Sequence, residues 1–180
     1  MKRIYPILVL TALAGVGVIP AGAADIEDAT PTPAPILSTE ISGSDLGFLM
    51  GAGSQFALLV HLADLAKTHA VTPEVKAEAT TISKEQTAAA AQLKDIATRD
   101  NVPLADDPDD EGHKVLAALG KLDGVKFDKA FLDAQADAQD ALETTLNGGA
   151  SSTDANIKTF ATANLQTLKL ERDRVRKLGL

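Results

Sequence analysis

Apolar residues recur at spacings of three and four along nearly all of the chain after Gly43, which is the pattern of helices with a buried face. The pattern predicts four long helices, at about 44–70, 73–100, 127–146 and from 153 onward, with a short helix at about 113–122. An antiparallel four-helix bundle, with an extra short helix before the third long helix, is the simplest way to bury these apolar stripes together. We therefore expect an all-α bundle domain over residues 44–180.

Local signals set the expected ends of these helices. Thr72 and Pro73 suit the N-cap and first position of the second helix. A capping box from Ser83 to Gln86 supports an alternative in which this helix breaks. The segment Asn147-Gly148-Gly149 is typical of a left-handed C-cap and predicts the end of the third long helix.

The first helix carries apolar residues on two sides. This pattern predicts a helix that is buried on both faces, or one whose second face meets a partner. The two stripes are Leu49, Ala52, Phe56, Val60 and Ala63, and Leu58, Leu62 and Leu65.

The amino terminus has the features of an export signal. Lys2 and Arg3 precede a mostly apolar run and then small residues, so we expect a signal peptide over residues 1–23 with cleavage after Ala23. The alternative is an uncleaved membrane anchor, for which the apolar run is short. A Pro/Thr-rich linker follows over residues 24–43. The processed protein is expected in the periplasm or outside the cell, with no transmembrane anchor.

Composition excludes several classes of protein. The 180 residues include no cysteine, so disulfides, thiolate metal sites and cysteine nucleophiles are excluded. The formal charge of −8 becomes −10 after processing, because Lys2 and Arg3 leave while all 25 acids remain. An acidic chain with 3% aromatic residues lacks the basic track and stacking rings that bind nucleic acid, so we expect no nucleic-acid partner.

Two patterns raise the question of a metal. The acids between Asp106 and Glu111 are predicted to form a loop that leads into a helix, because negative charges are favourable at a helix amino terminus. A calcium-binding loop is the alternative, but the segment lacks the alternating oxygen ligands of a hand-type loop. A carboxylate-bridged centre in a bundle needs glutamate and histidine three apart on two helices, and His61, His69 and His113 do not fit this spacing. We expect no metal and no cofactor, with these histidines at or near the surface.

The last helix ends in basic residues. Positive charges suit the carboxyl end of a helix, and the alternative is a patch that binds a membrane or a partner. The residues are Lys169, Arg172, Arg174, Arg176 and Lys177.

Polar residues occupy core-facing positions on the second and fourth long helices, and Gln139 lies on the flank of the third. A buried amide or carboxylate is destabilising unless it is paired, so these groups could meet in one internal network if the helices pack together. A small ligand pocket, a satisfied structural network and simple exposure at a stripe edge are all open interpretations. The residues of this candidate internal polar site are Gln86, Gln139, Asn164 and Glu171.

Four short strings carry a resemblance to a known family. The most specific is the string from Gly124 to Leu132, GVKFDKAFL. The others are Pro73-Glu74-Val75-Lys76, Val102-Pro103-Leu104 and Leu165-Gln166-Thr167-Leu168. Together they resemble the bacterial family called domain of unknown function 4142, over about 46–175. The resemblance implies an exported or outer-membrane protein with a ferritin-like helical bundle.

The resemblance also implies a departure from the family. Its members usually carry histidines at places that fall here on Gln86, Gln139 and Glu171, and a first-helix glutamate that falls near Leu59. If those histidines bind metal or transfer protons, this chain has lost that ability, although Glu171 could remain a ligand.

We therefore expect an exported, non-catalytic bundle of unknown biochemical function in the cell envelope. It would act by binding an unknown envelope protein or a small ligand, or through a structural role. The alternative is a ferritin-like protein that binds a metal or a small ligand at a polar site inside the bundle.

Overall fold

The computed structural model describes residues 41–179, and in that range it contains five helices and no strand. They are α1 (Gly43–His69), α2 (Pro73–Arg99), α3 (Asp110–Leu119), α4 (Gly124–Ala150) and α5 (Ala155–Lys177). The all-α prediction is confirmed, and the short helix lies before the third long helix as expected. The predicted signal peptide and nearly all of the predicted linker lie outside the described residues.

Each long helix packs against two other long helices. α1 contacts α2 and α4, and α5 also contacts α4 and α2, while α3 lies on α1 and α4. All five helices supply side chains to one apolar core, including Phe56, Ile82, Leu119, Phe131 and Phe160. Each large apolar side chain removed from water stabilises the fold by about 1.5–3 kcal/mol. The apolar stripes of the sequence therefore meet in one helical bundle.

The two apolar faces of α1 are both covered inside the protein. Leu49 and Phe56 lie in the core, and Leu58 and Leu65 on the second stripe pack against it half-buried. α3 covers part of this second face, since a Cβ placed on Gly112 would lie 3.3 Å from a methyl group of Leu58. The second face of α1 therefore needs no outside partner to explain its apolar character.

Among the described residues, α1 is also the one helix that is long and apolar enough to span a membrane. Its most apolar 18-residue window has a mean hydropathy of 1.5, and half of that window is buried in the protein. A core helix of a bundle has the same properties.

The α1–α2 turn is held by a residue far away in the chain. The carboxylate of Asp128 on α4 accepts hydrogen bonds from the backbone N–H groups of Val71 (3.0 Å) and Thr72 (2.9 Å). Thr72 precedes α2 as predicted, but its own side chain makes no capping bond. Asp128 therefore satisfies the N–H groups of the two residues that precede α2 and fixes this turn against α4.

The alternative break in α2 at Ser83 is wrong. The helix is continuous from Pro73 to Arg99, and the Ser83 hydroxyl donates to Asp64 on α1 at 2.7 Å. The same hydroxyl accepts from Lys67 at 3.2 Å. Ser83 thus bridges two helices instead of capping a new one.

The predicted end of the third long helix is also wrong. α4 continues through Asn147, Gly148 and Gly149 to Ala150. Positive backbone φ angles occur instead at Asn101 (57°), just after α2, and at Gly124 (64°), where α4 begins. A Cβ on Gly149 would overlap the ring of Phe48 on α1, whereas a Cβ on Gly148 would meet nothing within 4 Å. Gly149 is therefore required for close approach of α1 and α4, not for ending the helix.

Replacing Gly149 with alanine should destabilise the protein by about 1–3 kcal/mol, because the Phe48 ring must move to make room. Gly148→Ala is the matched control on the same turn, and it should be neutral or stabilising by up to about 1 kcal/mol, since alanine favours helix. Chemical unfolding followed by circular dichroism measures both. Equal effects of the two substitutions would contradict the packing explanation.

Candidate functional site

A cluster of polar side chains lies in the core around the carboxylate of Glu171 on α5. Glu171 is fully buried, and both of its oxygens accept hydrogen bonds from glutamine side chains. Gln86 Nε2 on α2 lies 2.5 Å from Oε2; Gln135 Nε2 and Gln139 Nε2 on α4 lie 3.0 Å and 2.7 Å from Oε1. We call these four residues the Glu171 cluster.

Helix geometry explains how the cluster assembles. Gln135 and Gln139 are four residues apart, so they lie one above the other on the same face of α4. Both are fully buried, and Gln86 on α2 is 3% exposed. The cluster therefore joins α2, α4 and α5 through one carboxylate.

The structure brings together three of the four predicted polar residues. Gln86, Gln139 and Glu171 are in direct hydrogen-bonding contact. Asn164 is buried, but its amide donates to the backbone oxygen of Phe160 on its own helix, at 2.9 Å. Its hydrogen bond is therefore local to α5, while the other three residues form a group between helices.

Gln135 was missed by the sequence prediction, and its position could have been found. An apolar stripe through Phe131 and Leu142 can be drawn through Ala134 or through Gln135 at helical spacing. In the structure Gln135 is the buried one of the two, and Ala134 is half-buried. Alanine tolerates either face, so it is a poor guide to a helix's orientation. The better signal is the opposite face, where Asp133, Asp137 and Asp140 are exposed and leave the two glutamines pointing inward.

Ion pairs surround the cluster on the same turn of α5. Arg172 binds Asp140 and Glu143 on α4, at 2.5 Å and 2.6 Å. Arg174 binds Glu78 and Glu85 on α2, at 2.8 Å and 2.6 Å. Two of the five basic residues at the end of α5 are thus committed to neighbouring helices, which counts against a membrane patch formed by all five.

Burial is the main electrostatic influence on Glu171. Removal from water raises the pKa of the carboxyl, since the charged form loses hydration. Hydrogen bonds from Gln139, Gln86 and Gln135 act in the opposite direction, and nearby Glu85 raises the pKa further. The pKa of Glu171 is raised overall, so the protonated form is favoured inside the protein relative to an exposed glutamate.

Two amide oxygens in the cluster lack hydrogen-bond partners. They are Oε1 of Gln135 and Oε1 of Gln139, both buried, with no partner within the described part of the chain. A buried carbonyl oxygen without a donor costs about 1–3 kcal/mol. The cluster therefore gives the Glu171 carboxylate its hydrogen bonds and leaves the side-chain oxygens of Gln135 and Gln139 without any.

Asp128 behaves differently from Glu171, although both carboxylates are buried. Burial raises the pKa of Asp128, but the hydrogen bonds from Thr72 and Val71 outweigh it and the pKa is lowered overall. Backbone N–H donors and the positive end of α2 favour the charged form here. Asp128 is thus an anion held by backbone N–H groups at the turn before α2, and it lies in the string that carries the family resemblance.

The histidines and the acidic loop lie at other places. His61 Nε2 is 3.7 Å from Asp107, His69 stacks on Phe127, and His113 is exposed on α3. Asp109 caps α3 by accepting from the N–H of Gly112 at 2.8 Å, and Asp106 pairs with Lys94. The helix-start interpretation of this loop is therefore confirmed at Asp109. Within the described residues, no group of three or more His, Cys, Asp or Glu could hold a metal ion.

A separate cavity of 210 Å³ lies between α1, α2 and the loop that follows α2. Its lining is mostly small and apolar, as at Gly53, Ala57 and Leu104, with the Lys94–Asp106 ion pair at its polar side. The four residues of the Glu171 cluster are not part of this lining. The cavity and the cluster are therefore independent features.

Comparison with known proteins gives a family. The family model described as Domain of unknown function (DUF4142) matches residues 30–178. The chain belongs to this family. Neither a curated protein nor a solved structure matches the chain. The description of DUF4142 states no activity, so any functional proposal for this member rests on its own geometry.

The donor set of the Glu171 cluster does not fit a carboxylate-bridged pair of transition metals. Such a pair needs several carboxylates with histidines, and the cluster supplies one carboxylate and three amides. Leu59, near which the resemblance places a first-helix glutamate of the family, is fully buried in the apolar core. Hard oxygen donors are the only ligands the cluster could offer.

Replacing Gln86 with leucine should destabilise the protein by about 1–3 kcal/mol, because the buried carboxylate loses a donor. Gln92→Leu on the exposed side of the same helix is the control, and it should change the stability by less than about 0.5 kcal/mol. Denaturant unfolding at neutral pH gives both values. A neutral Gln86→Leu substitution would show that the cluster is not energetically coupled.

Replacing Glu171 with glutamine should stabilise the protein more at high pH than at low pH. Because the folded pKa lies above the ordinary 4.5, the contribution of Glu171 to stability is full below 4.5 and declines as the pH rises through the folded value. The difference in unfolding free energy between variant and wild type should therefore shift in favour of the variant from about pH 4 to about pH 8.

The control for this pH series is Glu74→Gln, which alters an exposed glutamate at the start of α2. Asp128 has the opposite pH dependence, because its stabilisation is lost as the pH falls through its lowered pKa. This contribution is the same in variant and wild type, so it cancels in the difference between their unfolding free energies. A difference for Glu171→Gln that stays constant across the series would show that Glu171 is not destabilised by its burial.

Proposed function

We propose that this protein is an exported, non-catalytic helical bundle that acts in the cell envelope by binding or through a structural role. The observation that carries the proposal is the enclosure of Glu171. Its carboxylate is fully buried and already accepts three amide hydrogen bonds. A carboxylate held in this way ties helices together and is not presented to a substrate.

The proposed architecture is an antiparallel four-helix bundle of the ferritin-like kind, with α3 as an addition. The cyclic contacts of the long helices, α1 with α2 and α4, and α5 with the same two, support this arrangement. The turn of three residues between α1 and α2 also favours antiparallel neighbours. In this proposal the Glu171 cluster occupies the interior position where ferritin-like proteins place their ligands.

Export is proposed from the amino-terminal residues alone. Lys2 and Arg3, the apolar run after them and the small residues before Ala24 are the features of a cleaved signal peptide. Cleavage after Ala23 would release the protein into the periplasm or the medium. The acidic charge of the remaining chain suits a soluble protein in that compartment.

A second candidate function is binding of a metal ion or a small ligand inside the bundle. The two unpartnered oxygens of Gln135 and Gln139 favour it, because unpaired buried acceptors beside a carboxylate are the groups a cation or a hydrogen-bond donor would satisfy. The enclosure of the cluster restricts such a ligand to a very small one.

Purification of the protein from a periplasmic extract tests the proposal. Mass spectrometry should find a chain that starts at Ala24, and elemental analysis should find less than about 0.1 transition-metal ion per chain, because amides and one carboxylate are weak ligands for such metals. A chain that retains residues 1–23 would contradict export by a cleaved signal.

Stoichiometric iron, manganese or zinc that disappears in Glu171→Gln would overturn the first candidate and support the second. The control variant is Glu74→Gln, which leaves the cluster intact. Metal that persists equally in both variants would place the binding site elsewhere in the protein and contradict a role for the Glu171 cluster.

A further inference from the structure

The cavity between α1, α2 and the loop after α2 exists because small residues line it from both helices. Gly53 and Ala57 lie four residues apart on one face of α1, and Ala90 on α2 lines the same cavity. None of these residues has a side chain that extends beyond Cβ. Longer side chains would fill this space, since protein interiors are close-packed, but here 210 Å³ is left open.

The loop after α2 forms the third wall of the cavity, and it is fixed at both ends. Val102 is buried, and its N–H donates to a backbone carbonyl of α2 at 2.8 Å. At the other end, the N–H of Asp109 donates to the hydroxyl of Ser54 on α1 at 3.0 Å. Between these points Leu104 packs on Gly53, since a Cβ there would lie 3.6 Å from both Leu104 methyl groups. The wall is therefore preformed, which spares a ligand the cost of ordering it.

The charged groups of the lining are already paired. Lys94 Nζ lies 2.8 Å and 3.0 Å from the two carboxylate oxygens of Asp106. His61, which also lines the cavity, has its Nε2 3.7 Å from a carboxylate oxygen of Asp107. A charged ligand of either sign would lose its hydration against an apolar wall without gaining a free counter-charge. The lining therefore favours an uncharged ligand.

The volume of the cavity sets the size of that ligand. An apolar cavity of about 150 Å³ accommodates one benzene molecule. A cavity of 210 Å³ therefore admits a six-membered ring with about two or three further non-hydrogen atoms. The ring would displace loosely held water from the apolar wall, which favours binding.

The open side of the cavity is its polar side. Thr87 brings a hydroxyl group to the lining, and both Thr87 and Lys94 are exposed to solvent. A single hydroxyl group on the ligand can form hydrogen bonds with Thr87 and with water at this side. The lining thus selects a molecule that is apolar at one end and carries a hydroxyl at the other.

We propose that this cavity binds one small, uncharged, monocyclic molecule with a single hydroxyl group, of the size of p-cresol. The ring lies against Ala57, Ala90 and Leu104, and the hydroxyl group points toward Thr87 and solvent. The site goes beyond the proposed function, which rests on the Glu171 cluster, and it uses none of the residues of that cluster.

Isothermal titration calorimetry of the purified protein with three probes of similar size tests this proposal. The probes are p-cresol, benzoate and benzylammonium, which are neutral, negative and positive at neutral pH. One p-cresol should bind per chain, at least about tenfold more tightly than either charged probe, because the charged probes lose hydration without a counter-charge. The melting temperature should rise by about 4 °C when p-cresol is present at ten times its dissociation constant.

This series uses only the wild-type protein, so it does not depend on whether a variant folds. Undetectable binding of p-cresol up to its solubility would overturn the proposal. Binding of a charged probe that is as tight as that of p-cresol would overturn it as well.

Two variants locate the site. Ala90→Leu places a larger apolar side chain in the cavity, so it should weaken p-cresol binding at least about tenfold while the melting temperature stays the same or rises. Leu104→Ala removes the wall supplied by the loop and should weaken binding several-fold. The matched control is Ala91→Leu at the next, exposed position of α2, which should bind p-cresol like the wild type.

Binding of p-cresol that persists unchanged in Ala90→Leu and Leu104→Ala would place the site elsewhere and overturn the proposal. Equal weakening by Ala90→Leu and Ala91→Leu would also contradict it. None of these results would affect export or the structural role of the Glu171 cluster, which are tested separately.

Discussion

The burial of one carboxylate constrains the relative positions of three helices. Glu171 has lost its contact with water, and a charge in that environment needs hydrogen-bond donors at close range. The donors come from α2 and α4, so these helices must present Gln86, Gln135 and Gln139 at the level of Glu171 on α5. The ion pairs of Arg172 and Arg174 join the same helices from the adjacent positions of α5.

α1 is held by different forces. It contributes apolar side chains to the core and approaches α4 closely where Gly149 leaves room for the ring of Phe48. Its far end is connected to α4 through Asp128, which caps the turn into α2. The bundle thus combines a polar connection among α2, α4 and α5 with an apolar helix that closes the core. The two buried carboxylates have opposite pKa shifts because Asp128 meets backbone N–H groups at a helix start, whereas burial dominates at Glu171.

Membership of DUF4142 gives this chain a family whose description states no activity. The places that the resemblance assigns to family histidines hold Gln86, Gln139 and Glu171, and these three side chains meet in the core. Amides and a carboxylate can hydrogen-bond to one another, and their oxygens can bind a proton or a hard cation. They lack the imidazole nitrogens that favour transition metals. The cluster of this chain is thus built from amides and one carboxylate.

The sequence by itself determined the helices, the long apolar stripes and the presence of polar residues within them. Helical spacing is a local property, and so Gln86 and Glu171 could be identified as core-facing, and Gln139 as lying on the flank of its stripe, without knowledge of their neighbours. Only the tertiary structure decided that these three meet, that Gln135 joins them, and that Asn164 bonds to its own helix. It also decided that Gly149 lies inside α4 against Phe48. The reason is that rotation and register between helices arise from the packing of whole faces, which residue spacing along one helix does not specify.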